Sequence, residues 1–363
     1  MKKKIFFFHK SLDIGGVERQ LVYLIKGLNE NKYELYLILC EKKGELLQEI
    51  PSHVKLINLG ISFSIKNKIP LAIKLCHKLI RKRPDIFISF HIHLNTLSIL
   101  IGLLLKIRVF LCSPGFFYKG RINFLRNILW NYANKIIAVS NGVKRSLENA
   151  LTRIEKKKLI VIKNAVDYEE VIKLSEEEFS YDSIPMDKPI VASVGRLVKD
   201  KGFDVLLNAV PLVESKCRIV LIGDGPERKR LERLCKELKI TKNVVFLGSQ
   251  SNPYKYLKKS SIFVLASLSE GLPTAVLEAM ALKVPCVCAD YLGGVNDIII
   301  HEKNGYIVKK GDSINLARAI DILLNDEERR KKYQNVSFKK IKNEFSIQNY
   351  MKEYEKLFDE KIN

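Results

Sequence analysis

Long apolar runs are missing from this chain of 363 residues. The longest, Leu97 to Leu105, stops at Lys106 and Arg108, well short of the about 20 residues that a membrane-crossing helix needs. No transmembrane segment is therefore expected. The opening MKKKIFFFHK holds four apolar residues before His9 and reads as a first strand, not a signal peptide. Paired cysteines are also missing. The seven, at positions 40, 76, 112, 217, 235, 286 and 288, are odd in number and scattered, which points to a reducing compartment. Cys286 and Cys288 stand two apart, but no second Cys or His pair at zinc spacing accompanies them. They read as core.

Acidic residues are scarce in one half only. Residues 1–165 carry 30 Lys and Arg against 10 Asp and Glu, whereas residues 166–363 carry 32 against 30. The first half expects an anionic partner. No zinc spacing or RNA-binding aromatic motif accompanies that charge, so nucleic acid is not expected. Lys66, Lys68, Lys74, Lys78, Arg81, Lys82 and Arg83 decorate one helical stretch. Phe117, Tyr118, Lys119, Arg121, Phe124, Arg126 and Trp130 mark another. Basic residues interleaved with aromatics suit an anionic membrane surface, although a solvated helix face would read the same way.

Repeats and low-complexity tracts are absent as well, and what remains is an alternation. Strand-like runs at Ile5–Phe8, Leu35–Leu39, Lys55–Leu59, Ile86–Phe90, Val109–Cys112, Lys135–Val139 and Leu159–Ile162 are separated by amphipathic stretches. That pattern predicts βα units on a mostly parallel sheet. A second series follows at Ile190–Val194, Arg218–Ile222, Val244–Leu247, Ile262–Leu265, Cys286–Ala289 and Tyr306–Val308. The expectation is an α/β protein of two tandem Rossmann-like domains, residues 1–166 and 189–344, joined by a polar, irregular linker at 167–188. A last helix within 345–363 has one apolar face (Tyr350, Met351, Tyr354, Leu357, Phe358) and is expected to cross back onto the first domain.

The stretch Phe263 to Gly294 reads as strand, loop, helix, strand. Pro273 suits a first helical position, where its missing N–H costs nothing. The helix start around Leu272, Pro273 and Thr274 would then present backbone N–H groups and a positive dipole end to an anion beside Glu270. Glu278 lies about a turn and a half further on, so the two carboxylates are expected to grip separate parts of an extended ligand. In Val194 to Gly202, Gly195 ends a strand, and Arg196 and Lys201 supply a forked donor and a compact cation for a diphosphate. Gly223-Asp224-Gly225-Pro226 closes the next strand. Near the start, Gly15-Gly16 precedes a helix and lets backbone approach a ligand closely; the dinucleotide fingerprint is not present. His91 and His93 would share a face if their strand continued. No carboxylate or Cys lies near them in sequence to complete a metal site, and Asp-x-Asp occurs nowhere.

Gly15-Gly16-Val17-Glu18-Arg19, Gly195-Arg196-Leu197 with Lys201-Gly202, Gly223-Asp224-Gly225-Pro226, and Glu270 with Glu278 follow one another across nearly the whole chain. In that order they resemble the retaining GT-B glycosyltransferases of family 4, the glycosyl transferases group 1, which extend lipid-linked or cell-surface glycans. The resemblance implies a GT-B fold with an N-terminal acceptor domain and a C-terminal nucleotide-sugar domain. It places Glu270 at the donor sugar, Glu278 at the ribose, and Gly15 and Gly16 against the diphosphate. Leu247-Gly248-Ser249 would lie near the base. A family His contacts the sugar after the fourth strand; the usual offset falls on Ile92, so His91 and His93 both stay candidates. Ser113-Pro114-Gly115 departs from the family's trio and leaves the acceptor contacts unassigned.

The expected catalytic set is Glu270, Arg196, Lys201, His91 and His93. The expected donor-binding set is Gly15, Gly16, Arg196, Lys201, Gly223, Leu272, Pro273, Thr274 and Glu278. No metal and no cofactor beyond the nucleotide sugar are expected. The expected acceptor is a lipid-linked glycan, such as one on a polyprenyl diphosphate, and the expected location is cytoplasmic, held electrostatically at the inner face of a membrane. Two other classes stay open. An epimerase or phosphorylase on the same fold would need no sugar acceptor, and a non-catalytic binder of anionic polymers would tolerate loss of Glu270, Arg196 and Lys201.

Overall fold

The computed structural model describes residues 2–64, 66–116, 124–151, 153–178, 184–291 and 293–360, with the side chains of 124 and 125 also left aside. The chain divides into two compact units, residues 1–164 with 347–363, and residues 165–346.

The first unit is built on seven parallel strands: β1 (Lys3–His9), β2 (Tyr33–Leu39), β3 (Lys55–Asn58), β4 (Ile86–Ser89), β5 (Val109–Ser113), β6 (Lys135–Ala138) and β7 (Leu159–Val161). Their spatial order is β3-β2-β1-β4-β5-β6-β7. Unbroken apolar runs such as Ile5-Phe6-Phe7-Phe8, all fully buried, are what a parallel sheet covered on both faces demands. The sheet winds outward in two directions from β1, so the β1/β4 junction is its topological switch point. Ligands of doubly wound sheets bind outside the carboxyl ends of the strands at such a point.

Helix Ile347–Asp359 completes this unit. Its five expected apolar residues are all buried, with Tyr354 stacked near Phe90 and Phe358 against Tyr33 and Phe110. Tyr350 Oη donates to the Gln20 carbonyl on helix Gly16–Gly27, and Asp359 pairs with Lys32 at 2.5 Å. The last helix therefore packs on the first unit even though the chain between them forms the second.

The second unit holds six parallel strands: β8 (Ile190–Val194), β9 (Arg218–Ile222), β10 (Val244–Gly248), β11 (Ile262–Leu265), β12 (Cys286–Asp290) and β13 (Gly305–Lys309), in the order β10-β9-β8-β11-β12-β13. Here the switch point falls between β8 and β11. Cys286 and Cys288 are fully buried in β12, and burial pushes both thiols well up.

Three expectations need correction. Residues 167–188 do not begin irregularly: Tyr168–Leu174 is a helix capped by Asp167, whose carboxylate accepts from Glu170 N at 3.0 Å. The cap satisfies an orphan donor, and the acidic first turn suits the helix dipole. This helix packs on helix Thr274–Ala281 within the second unit. Next, β4 stops at Ser89 and the chain turns at once, so His91 and His93 do not share a strand face. Finally, Trp130 is buried rather than surface-directed, with the Arg126 guanidinium 5.6 Å from its ring centre. Phe117, Tyr118, Lys119 and Arg121, and the side chain of Phe124, lie outside the described residues.

Candidate active site

In the second unit the loops leaving β8 and β11 lie side by side because those strands are neighbours. After β8 the chain passes Gly195 and Arg196 into the short helical turn Lys199–Lys201, and after β11 it passes Ser267 to Pro273 into helix Thr274–Ala281. Leu268 N donates to the Asp200 carbonyl at 2.7 Å and ties the two loops together. Gly202 has φ +62, and a Cβ there would stand 2.1 Å from the Ala266 carbonyl oxygen. Only glycine lets the Lys201 turn sit this close to the end of β11.

The result is a contact between distant residues. Lys201 Nζ lies 2.9 Å from Glu270 Oε1, and the Ser267 hydroxyl donates to the same oxygen at 2.5 Å. Arg196 is exposed beside this turn and pairs with no described carboxylate. Its loop is anchored by Gly195 N to Ile222 O, Leu197 N to Asp224 O and Glu227 N to Leu197 O. Gly223, at φ +141, leaves no room for a Cβ, which would fall 2.0 Å from the Gly195 carbonyl oxygen. The Gly-Arg-Leu and Gly-Asp-Gly-Pro stretches are thus one backbone construction. Gly248 joins it, accepting from Gly223 N at 2.8 Å.

Pro273 stands one place earlier than expected. It is the N-cap, with φ −76 and ψ 106, and Thr274 opens the helix. An N-cap is extended, and proline tolerates that geometry while its carbonyl accepts from Val276 N. Leu272 and Pro273 are buried beneath the loop. Glu278 is half-buried on the same helix, and Tyr254 Oη donates to its Oε1 at 3.4 Å.

In the first unit, Gly15 is the N-cap of helix Gly16–Gly27, directly after β1. Across the switch point the loop after β4 brings the His91 and His93 rings to 5.5 Å, and His91 lies 5.4 Å from His9. His91 is half-buried and His93 exposed. Burial, followed by the neighbouring imidazoles, lowers His91 to about 4. Among the described residues, no three His, Cys, Asp or Glu side chains gather as a metal ion would require.

Residues 14–170 match the family model for Glycosyltransferase Family 4, and residues 175–340 match that for Glycosyl transferases group 1. The chain belongs to the group 1 glycosyl transferases. It is 28% identical over 350 residues to a Campylobacter jejuni enzyme, the N-acetylgalactosamine-N,N'-diacetylbacillosaminyl-diphospho-undecaprenol 4-alpha-N-acetylgalactosaminyltransferase. That match covers 92% of this chain and 93% of the relative. It is also 27% identical over 327 residues to the Rhizobium meliloti lipopolysaccharide core biosynthesis glycosyltransferase LpsE, covering 90% of each. Among solved structures, Anabaena Alr3699/HepE in complex with UDP superposes with a TM-score of 0.82 over 98% of this chain and 99% of that one, at 18% identity. The fold is GT-B.

Sequence reasoning passed over several residues of this glycosyl transferase. His9 ends β1 and is fully buried; its Nδ1 lies 2.7 Å from the Ser11 carbonyl, which fixes the proton on Nδ1. Its Nε2 faces Glu18 Oε1 at 3.5 Å. Burial lowers His9 to about 4 and raises Glu18, so at neutral pH the imidazole is uncharged and the contact is not an ion pair. Ser89 and Ser113, at the ends of β4 and β5, and Asn95, which opens helix Asn95–Leu105 and donates through Nδ2 to the Cys112 carbonyl at 3.0 Å, each leave a buried oxygen without a hydrogen-bond partner among the described residues. Ser267 and Tyr254, which hold the two glutamates, were also missed. The signal for His9 was available: it is the polar residue closing the strand at the switch point.

His9 gives a pH prediction. Its folded value lies below the ordinary 6.5, so unfolding takes up a proton between about pH 6.5 and 4. The stability from the neutral imidazole is complete above that window and is lost as pH falls through it, by about 1.4 kcal/mol per pH unit. Glu18, raised on folding, acts in the opposite sense. Thermal unfolding of wild type and His9→Gln across pH 4–7 should show the shallower slope in the variant; equal slopes would refute the assignment.

Proposed function

We propose that this group 1 glycosyl transferase moves a hexose or N-acetylhexosamine from a nucleotide sugar to a hydroxyl of a polyprenyl-diphosphate-linked glycan, with retention at the anomeric carbon. The observation that carries the reading is the Lys201–Glu270 contact beside the exposed Arg196, at the switch point of the second unit. A breaking glycosidic bond leaves nearly one unit of negative charge on the diphosphate. Arg196 and Lys201 are taken as the two cations that receive it, so the reading assigns charge neutralisation to protein groups rather than to a metal. UDP-sugars are the favoured donors, in keeping with the UDP bound in Alr3699/HepE, and GDP-mannose is the second choice. The acceptor reading follows the diphospho-undecaprenol substrate in the name of the Campylobacter relative.

Retention is assigned to front-face attack. The acceptor oxygen bonds to the anomeric carbon as its bond to the phosphate oxygen breaks, and that phosphate oxygen takes the acceptor's proton. No protein nucleophile takes part. Glu270 faces the sugar, and Glu278 with Tyr254 holds the ribose. With 30 basic against 10 acidic groups in residues 1–165, the enzyme is placed peripherally at the cytoplasmic face of a membrane.

The test begins with thermal protection by UDP, GDP and other nucleotides, followed by assay of the matching nucleotide sugars on a polyprenyl-diphosphate glycan. Glu278→Gln should weaken binding of the free nucleotide by roughly tenfold, the worth of one charge-assisted hydrogen bond. Protection by no nucleotide, or no transfer from any protecting one, would overturn the reading.

A further inference from the structure

Helix Lys68–Lys82 buries Leu71, Leu75 and Leu79 against the first unit. Ile69, Ile73 and Ile80 are 74%, 64% and 55% exposed. The helical period puts these three isoleucines in one stripe, about 140° around the helix from the buried leucines. A solvated face would carry polar residues there. The neighbouring helix Asn95–Leu105 packs beside this one and exposes Leu104 at 73%, with Leu100 and Leu103 at 47% each. Lys74, Lys78 and Arg81, at i, i+4 and i+7, occupy the other side of the exposed arc, about a third of a turn round from the isoleucines, and Lys74 Nζ also reaches the Leu59 carbonyl at 3.0 Å. Residues 66–83 contain no Asp or Glu, and none of their basic groups forms an ion pair with a described carboxylate.

We propose that this face docks on an anionic lipid bilayer, with Ile69, Ile73 and Ile80 entering the acyl boundary and the flanking cations resting at the headgroups. The inference rests on the peripheral placement given above but changes its physics, because attachment is then apolar as well as electrostatic. Charge selects the occupant. A second copy would bring an equally basic, acid-free face against the first and be repelled, whereas an anionic leaflet complements it. An interfacial helix with isoleucines on one face and lysines alongside is what a lipid surface stabilises. Below the end of helix Asn95–Leu105, an open depression of about 300 Å³ lined in part by Leu103, Lys106 and Tyr132 continues the same mixture of apolar, aromatic and basic groups.

Flotation of the full chain with phosphatidylcholine vesicles, with and without phosphatidylglycerol, tests this. Wild type should bind only the anionic vesicles and keep part of that binding in 1 M salt, where the Debye length shrinks to about 3 Å. Each Ile→Ser change at 69, 73 or 80 should lower partitioning by roughly tenfold, and the triple variant should lose the salt-resistant fraction. Lys78→Gln with Arg81→Gln should lose binding at low salt instead. All substitutions are at exposed positions, and melting temperatures should be unchanged. Isoleucine variants that bind like wild type, or a lipid-free dimer abolished by them, would overturn the proposal. Transfer to a detergent-dispersed polyprenyl-diphosphate glycan should stay at wild-type rate in the triple variant. Its presence with failed vesicle binding would sink only this inference; its absence in wild type would sink the proposed function.

Discussion

Replacing Lys201 by Ala should lower turnover by roughly 10²- to 10³-fold in a protein that still folds, and Arg196→Ala should do nearly as much. The magnitude is that of removing one preorganised donor from a site of developing negative charge, about 2.7–4 kcal/mol of transition-state stabilisation. The structure makes the expectation for Lys201 sharper than charge counting alone. Its ammonium is held at 2.9 Å by Glu270, so in the free enzyme the cation is engaged with a carboxylate for which an arriving diphosphate must compete. Glu270→Gln should therefore separate two quantities that usually fall together. Turnover should drop because the group proposed to face the sugar has lost its charge, while affinity for the free nucleoside diphosphate should hold or rise a few-fold because Lys201 is released. Isothermal titration with UDP beside initial-rate kinetics reads both. Wild-type turnover in Lys201→Ala, or loss of nucleotide affinity in Glu270→Gln equal to that in Glu278→Gln, would break this division of roles.

The same pair shows what a linear sequence reveals and what it conceals. Both residues stood out from their local setting, one in a Gly-Arg-Leu loop and one ahead of a proline-led helix. Their mutual contact did not, because it depends on β8 and β11 being adjacent across the switch point, a fact of sheet order and not of any local stretch. All thirteen strands of the described residues were readable from short apolar runs, most of them because strands buried on both faces are apolar throughout, while the edge strand β3 showed only Leu56 and Ile57 between the exposed Lys55 and Asn58. Helix Tyr168–Leu174 was not, because its acidic cap and first turn look like a solvated linker until Asp167 is seen accepting from Glu170 N. The loop after β4 failed for a related reason. The apolar run continues through Phe90, but Ser89 is the last residue to pair with β1 and β5, and the turn that follows is set by tertiary pairing. The isoleucine stripe at 69, 73 and 80 was hidden in plain view, since exposure cannot be told from burial when a helix carries two apolar stripes.

Gly202→Ala should cost about 3 kcal/mol or more of stability in the second unit and lower turnover sharply, although it touches no ligand-facing charge. Two terms add. A non-glycine residue at φ +62 costs about 1 kcal/mol by itself. The added Cβ would then sit 2.1 Å from the Ala266 carbonyl oxygen. That neighbour is backbone at the end of a buried strand and cannot rotate away as a flexible side chain could, so the turn must lift instead. Lifting it moves Lys201, the residue immediately before, and a displacement of about 1 Å in a positioning group can cost on the order of 10² in rate. Gly311 supplies the matched control within the same unit. Its φ is +79, and a Cβ there would meet nothing within 4 Å, so Gly311→Ala should show the conformational cost alone, about 1 kcal/mol, at wild-type turnover. For a unit of this size each kcal/mol shifts the melting temperature by about 2–4 °C, which makes the two variants separable in one calorimetric comparison. Equal melting temperatures and equal rates for the two alanine variants would show that the close approach to Ala266 does not position Lys201.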